Sequence, residues 1–220
     1  MMEKAASDNL VHPIISDYRY EKKFLINELS KYEVESIVKL HPAIFSEIFY
    51  PRFINNIYFD SFNLNNYFDN IEGTAERMKV RIRWYGDLFG YVEKPILEKK
   101  IKKGFLGKKI TMPIKSFELK ENTKTSDILH SSNDLKETFT VDFDSLKPSL
   151  LNRYLRKYYE SCDGKYRITV DTDQSFYLVN SHGNFFLNKI DDNNTVILEL
   201  KYNHDYDSGA SYITTKFPFR

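Results

Sequence analysis

Alternating apolar and polar positions dominate the chain and predict strands over most of its length. The clearest run is 76–85, ERMKVRIRWY, where Met78, Val80, Ile82 and Trp84 share one face and Arg77, Lys79, Arg81 and Arg83 the other. A Gly86-Asp87 turn signal closes it. The same period predicts strands at 18–27, 53–60, 91–103 (broken in part at Pro95), 152–160, 165–171, around 174–179 and at 195–202. Two stretches depart from it. Ser30 and Glu33 make a capping box ahead of Val34, Ile37 and Val38, so a helix is expected over 31–41 and Pro42 stops it. A short helix or turn is expected at 63–72, closed by Gly73, and the polar segment 115–138 admits some helix. Residues 1–16 carry no period and read as a flexible arm, leaving 17–220 as one domain. With roughly eight strands, two or three helices, no repeat and no Gly/Ser linker, the expected class is α+β, an antiparallel barrel-like domain.

Composition narrows this picture without changing it. The 220 residues carry 32 Lys+Arg and 31 Asp+Glu, a balance that excludes a histone-like basic chain and an acidic tail. A hydrophobic fraction of 41% argues for a packed core, and 16 Tyr with 17 Phe favour pleated surfaces. The single Cys162 excludes a disulfide framework and a Cys-based zinc site. No apolar stretch approaches the roughly 18 residues of a membrane helix, and the N-terminus has no signal-peptide run, so a cytoplasmic chain without membrane insertion is expected.

The polar faces carry the chemistry. Arg77, Lys79, Arg81 and Arg83 stand about 7 Å apart along one face, where they repel one another and add nothing to folding. A solvated sheet face would explain one such strand. The theme recurs: Glu98, Lys100 and Lys102; Glu199 and Lys201; Glu21 and Lys23; Arg156 between Tyr154 and Tyr158; Lys165, Arg167, Thr169 and Asp171. If these strands close, one face of each points inward, and a dry lumen of cations is untenable. A wet tunnel holding a polyanion resolves the conflict. Three Glu, each two residues before a Lys, suit a hard divalent cation that takes carboxylate and phosphate oxygens together. The five His and Cys162 lie outside the charged strands, and Trp84 reads as core rather than as a base-stacking ring.

These residues resemble the triphosphate tunnel metalloenzyme (CYTH-like) superfamily, and within it the VTC domain of polyphosphate polymerases. The resemblance runs in order through RYEKKF (19–24), KVRIRWYG (79–86), LEKK (97–100), YLR (154–156), RITVD (167–171), LELK (198–201) and TKF (215–217). It implies an eight-stranded antiparallel β-barrel tunnel with a few flanking helices. It also implies Mn²⁺ or Mg²⁺ bound by Glu199, with Glu21 and Glu98 on the metal side. Lys23, Arg81, Arg83 and Lys216 would serve catalysis, and Lys79, Lys100, Lys109, Arg156, Arg167 and Lys201 would contact phosphates, with Arg77 a further extension. Arg19 stands where hydrolytic relatives carry a Glu, which favours the polymerase-like branch. Only three residues follow the Thr215-Lys216-Phe217 motif, so the family's terminal helix is expected to be absent or shortened.

The expected activity is therefore metal-dependent phosphoryl transfer, with ATP extending an inorganic polyphosphate chain. Hydrolysis of inorganic triphosphate or of another triphosphate is the alternative, and a non-catalytic polyphosphate binder is the third. Nucleic acid is not an expected partner, because carboxylates at 21, 98 and 199 repel phosphate unless a metal intervenes.

Overall fold

The computed structural model describes residues 14–16, 19–103, 106–120, 123, 128, 139, 145–179 and 186–219. The charged alternating segments form long strands: β2 (Arg19–Ile26), β3 (Ser46–Asp60), β4 (Glu76–Tyr85), β6 (Ile96–Lys103), β7 (Leu106–Pro113), β9 (Lys147–Glu160), β10 (Tyr166–Val179) and β12 (Val196–Asn203). Two shorter strands, β1 (Ile14–Ser16) and β11 (Phe186–Asp192), complete a ten-stranded sheet, and β5 (Gly90–Val92) pairs with β8 (Phe117–Leu119) in a separate ribbon. Every pairing is antiparallel.

The sheet follows the path β1-β7-β6-β4-β3-β9-β10-β12-β2, with β11 beside β10. Its two ends are consecutive in the chain. Only residues 17 and 18 separate β1 from β2, so Ser16 and Arg19 lie within about 11 Å of each other. The sheet therefore curls so that its ends approach each other, but among the described residues no strand pairing closes it. The eight long strands form the wall of an antiparallel α+β tunnel fold rather than a hydrogen-bonded closed barrel.

Three helices are described: α1 (Lys31–Lys39), α2 (Asn65–Ile71) and α3 (Asp207–Thr215). The Ser30–Glu33 capping box forms as expected, and Val34 and Val38 on α1 are fully buried. They join Ile168, Leu198, Leu200, Tyr202 and, from α3, Ala210 and Ile213, in a core on the outer face of β10, β12 and β2. A second core sits outside β3, β4, β6, β7 and β9, where Val80, Ile82, Trp84 and Leu97 meet Leu88, Val92 and Leu119. Both apolar cores thus lie outside the wall.

Several expected boundaries move. β3 starts at Ser46, seven residues before the expected strand at 53. The delay traces to Pro51, which lies within a register shift between Phe49 and Arg52 and interrupts the alternation. The two strands expected at 165–171 and near 174–179 are one, β10, with a bulge between Thr172 and Ser175. Asp173 there has φ 50° and its carboxylate accepts from Lys31 Nζ at 2.8 Å, tying the bulge to α1. β7, β11 and α3 were not expected. Residues 121–122, 124–127 and 129–138 of the polar segment, and residues 1–13 of the arm, lie outside the described residues, while Ile14–Ser16 pair with β7. Among the described residues no helix is long and apolar enough to cross a membrane.

Candidate functional site

Strand register puts the charged residues on one shared inner face. On β4 and β6, Arg81 lies opposite Glu98 and Lys79 opposite Lys100, and β7 adds Lys109 opposite Lys100. On β9 and β10, Arg156 lies opposite Asp171. On β12 and β2, Glu199 lies opposite Lys23 and Lys201 opposite Glu21. β6 and β2 do not pair with each other, yet the Lys100 ammonium meets the Glu21 carboxylate. That contact bridges the unpaired gap between the two ends of the sheet and puts these two charged faces on the same side of the wall.

Three carboxylates neutralise part of this charge. Glu98 is 2% exposed; its Oε2 accepts from Arg81 Nε at 2.7 Å, and Arg83 Nη2 stands 2.6 Å from its Oε1. The second contact is a charge contact without hydrogen-bond geometry, so Oε1 and Arg83 Nε are both buried without a hydrogen-bond partner. Burial alone would raise the Glu98 carboxyl, but Arg81, Arg83 and Lys109 outweigh it and hold it below the ordinary range. Asp171 takes a bidentate contact from Arg156, Nε to Oδ1 at 2.5 Å and Nη2 to Oδ2 at 2.6 Å. Glu199, 6% exposed, stands 2.7 Å from Lys201 Nζ and 3.6 Å from Lys23 Nζ. Burial opposes its charge, but Lys201, Lys23 and Arg156 hold it at about 2.

Cations outlast these partners. Lys79 and Lys102 have no carboxylate partner among the described residues, and burial pushes both ammonium groups below their ordinary value, with Lys100 adding to the shift at each. Burial also lowers Lys109 and Lys201, against the pull of Glu98 and Glu199. Tyr58 accepts from Arg81 Nη1 at 3.2 Å. Its phenol is pushed up by burial and, more strongly, down by Arg81, Lys79 and Lys23, which surround it.

The structure brings Lys23, Lys79, Arg81, Arg83, Lys100, Lys109, Arg156 and Lys201 together with Glu21, Glu98 and Glu199. Arg167 sits at the exposed rim, paired with Glu160 at 2.7 Å. Arg77 also lies towards an edge and donates to the Thr74 carbonyl at 3.0 Å. Lys216 does not join them. It caps α3 on the outer face, beside the buried Phe217, with its Nζ 5.6 Å from the Tyr212 ring. Helix formation over 207–215 carries the ThrLysPhe motif outside, a turn the sequence did not signal.

The three expected metal carboxylates do not gather, and no group of three or more metal-ligating residues forms among the described residues. Glu98 does not fit a metal, because Arg81 and Arg83 occupy both its oxygens. Glu199 and Glu21 do fit in part. They are diagonal neighbours on paired strands, they offer only hard oxygens, and the buried Thr169 hydroxyl opposite Glu199 has no partner. Two carboxylates completed by phosphate oxygens are the usual Mg²⁺ arrangement.

Sequence reasoning missed Asp171 as the Arg156 counter-ion, although it stood on the assigned face. It also missed Arg52, which fell one residue outside the expected strand. His41 is structural: its Nδ1 accepts from Ala43 N–H at 3.0 Å and its Nε2 lies 3.0 Å from the Ile213 carbonyl. Trp84 is core, 2% exposed, and donates from Nε1 to the Asp87 carbonyl at 2.9 Å. His12, His130 and His182 lie outside the described residues.

A family model described as the VTC domain matches residues 18–216. No curated protein matches the chain. A proposed adenylate cyclase from Bacillus halodurans shares 12% identity at a TM-score of 0.52, over 90% of this chain and 88% of its own. A proposed adenylyl cyclase from Hippeastrum with a dominant triphosphatase activity is similar at 11% identity and a TM-score of 0.48, over 90% of this chain and 87% of its own. The Bacillus likeness shows a shared fold.

Proposed function

This chain belongs to the VTC domain family, and on that footing we propose that it is a metal-dependent phosphotransferase that moves the γ-phosphoryl group of ATP onto an inorganic polyphosphate chain. The observation that carries this reading is the polarity of the wall. Its apolar cores lie outside, while Lys79 and Lys102 face a half-buried lumen with no carboxylate partner among the described residues. Like charges held this way favour a polyanion that neutralises them.

Lys23, Lys79, Arg81 and Arg83 would grip the triphosphate of the donor, and Lys100, Lys109, Arg156 and Lys201 the neighbouring phosphates. An oxygen of the acceptor's terminal phosphate forms the new bond to the γ-phosphorus. The bond from that phosphorus to the β–γ bridging oxygen breaks, and ADP leaves. The acceptor oxygen is already anionic, so no side chain need remove a proton or form a covalent intermediate. The cations hold donor and acceptor in line and offset charge in the transition state. Glu199 and Glu21 would hold Mn²⁺ or Mg²⁺, which supplies charge neutralisation at phosphate oxygens.

Incubation with ATP and Mn²⁺ should yield long chains on a gel with one ADP per phosphate added. Orthophosphate as the sole product, from ATP or tripolyphosphate, would replace this reading with the hydrolytic one. The lysines of the lumen add a pH signature. Lys79 and Lys109 lose their protons below the ordinary lysine value, so tripolyphosphate affinity should fall with rising pH before the lysines outside the lumen titrate. Calorimetry in buffers of different ionisation enthalpy should detect proton uptake on binding in that window. Lys79→Met should flatten the profile; an affinity flat up to the ordinary lysine range would contradict the assignment.

A further inference from the structure

Arg52 lies on the same inner face as Tyr58 and Asn56 but nearer the mouth. Its guanidinium stands 4.9 Å from the centroids of the Tyr85 and Tyr158 rings and 5.2 Å from that of Phe49. No carboxylate pairs with it among the described residues, and its Nε is buried without a hydrogen-bond partner. Across the β3–β9 ladder it lies directly opposite Arg156, whose charge Asp171 already takes. Two cations so placed oppose folding unless something else neutralises one. The rings fix the guanidinium without consuming its hydrogen-bond donors.

Position gives this residue a different ligand from that of the central cations. Arg81 lies opposite Tyr58, and Arg52 is a further six residues along β3. At 3.3 Å per residue the rows are roughly 20 Å apart, more than a triphosphate spans. Arg83 bridges the gap, because its guanidinium faces the same Tyr85 ring at 5.8 Å. Measured along the backbone, a linear anion centred beside Arg81 and Arg83 extends past the Tyr85 ring to the Arg52 row when it is longer than three phosphates.

Resting on the phosphotransferase reading, we infer that Arg52, clamped by Phe49, Tyr85 and Tyr158, is a chain-length-determining residue that binds polyphosphate beyond its third phosphate at this mouth. The test compares affinities for tripolyphosphate, ATP and long-chain polyphosphate in the wild type, Arg52→Gln and Arg52→Lys. Arg52→Gln should weaken long-chain binding on the order of tenfold and the two short ligands by less than about twofold. Arg52→Lys, which keeps the charge but loses the planar fork, should fall between. The ratio of affinities within one variant does not depend on how much of it folds. Equal loss for all three ligands, or none for any, overturns the inference, and a loss confined to ATP puts a nucleoside at the mouth instead. A wild type that binds none of them overturns the phosphotransferase reading as well.

Discussion

Glu98→Gln should lower the melting temperature by roughly 6–20 °C, the largest stability effect expected of any single change in the lumen. The carboxylate is buried, and Arg81 and Arg83 both reach it within 2.7 Å. Gln keeps the shape but removes the charge, leaving two guanidinium groups and Lys109 uncompensated. Breaking a buried charge pair from one side costs about 3–5 kcal/mol. In a domain of this size, each kcal/mol moves the midpoint by about 2–4 °C. Tripolyphosphate should then rescue the variant more than it stabilises the wild type, since the anion replaces the missing charge. Differential scanning fluorimetry with and without the ligand reads both effects. An unshifted midpoint combined with lost metal dependence would instead return Glu98 to the metal role that the family resemblance implies.

Glu199→Gln should have the largest effect on turnover, a fall of about 10²–10³-fold, while metal-free tripolyphosphate binding holds or strengthens. The carboxylate is ionised throughout the neutral range, because Lys201, Lys23 and Arg156 hold it at about 2. It therefore always subtracts from the field that attracts phosphate. On the phosphotransferase reading, a carboxylate that weakens ground-state attraction in so basic a lumen would act in the reaction step, where losing one preorganised charge costs a factor of this order. Steady-state ADP release, paired with calorimetry in a chelator, separates the two effects. Turnover within about twofold of the wild type would sink the role given to Glu199.

Much of this was legible beforehand, for a physical reason. Strand alternation has a period of two, so the inner face of 76–85 is fixed once Val80 and Ile82 are known to pack on a core. That logic located Arg81, Arg83, Lys100, Arg156, Lys201 and Glu199, and the capping box located α1. The failures mark places where alternation breaks. Pro51 hid the first half of β3 and with it Arg52. The Asp173 bulge divided β10 on paper. Lys216 was assigned from a short motif alone, and the helix before it, whose buried face is only Ala210 and Ile213, turns that motif outward. Partner choice was also illegible: which of several acids meets which of several bases depends on cross-lumen distances, and nothing local told Glu98, bound to Arg81 and Arg83, from Glu199.

The β2–β12 ladder has a consequence for biosynthesis. Among the described residues β2, residues 19–26, pairs with β12, residues 196–203, and with no other strand, so Lys23 and Glu199 meet across nearly the whole chain. Contacts between segments so distant close late, because the loop entropy must be met before the ladder forms. During synthesis β2 therefore waits, its edge unpaired towards β12, until β12 leaves the ribosome. The cationic lumen comes into being in one closing event, and a nascent chain that stops short of β12 carries most of the arginines but no enclosed site.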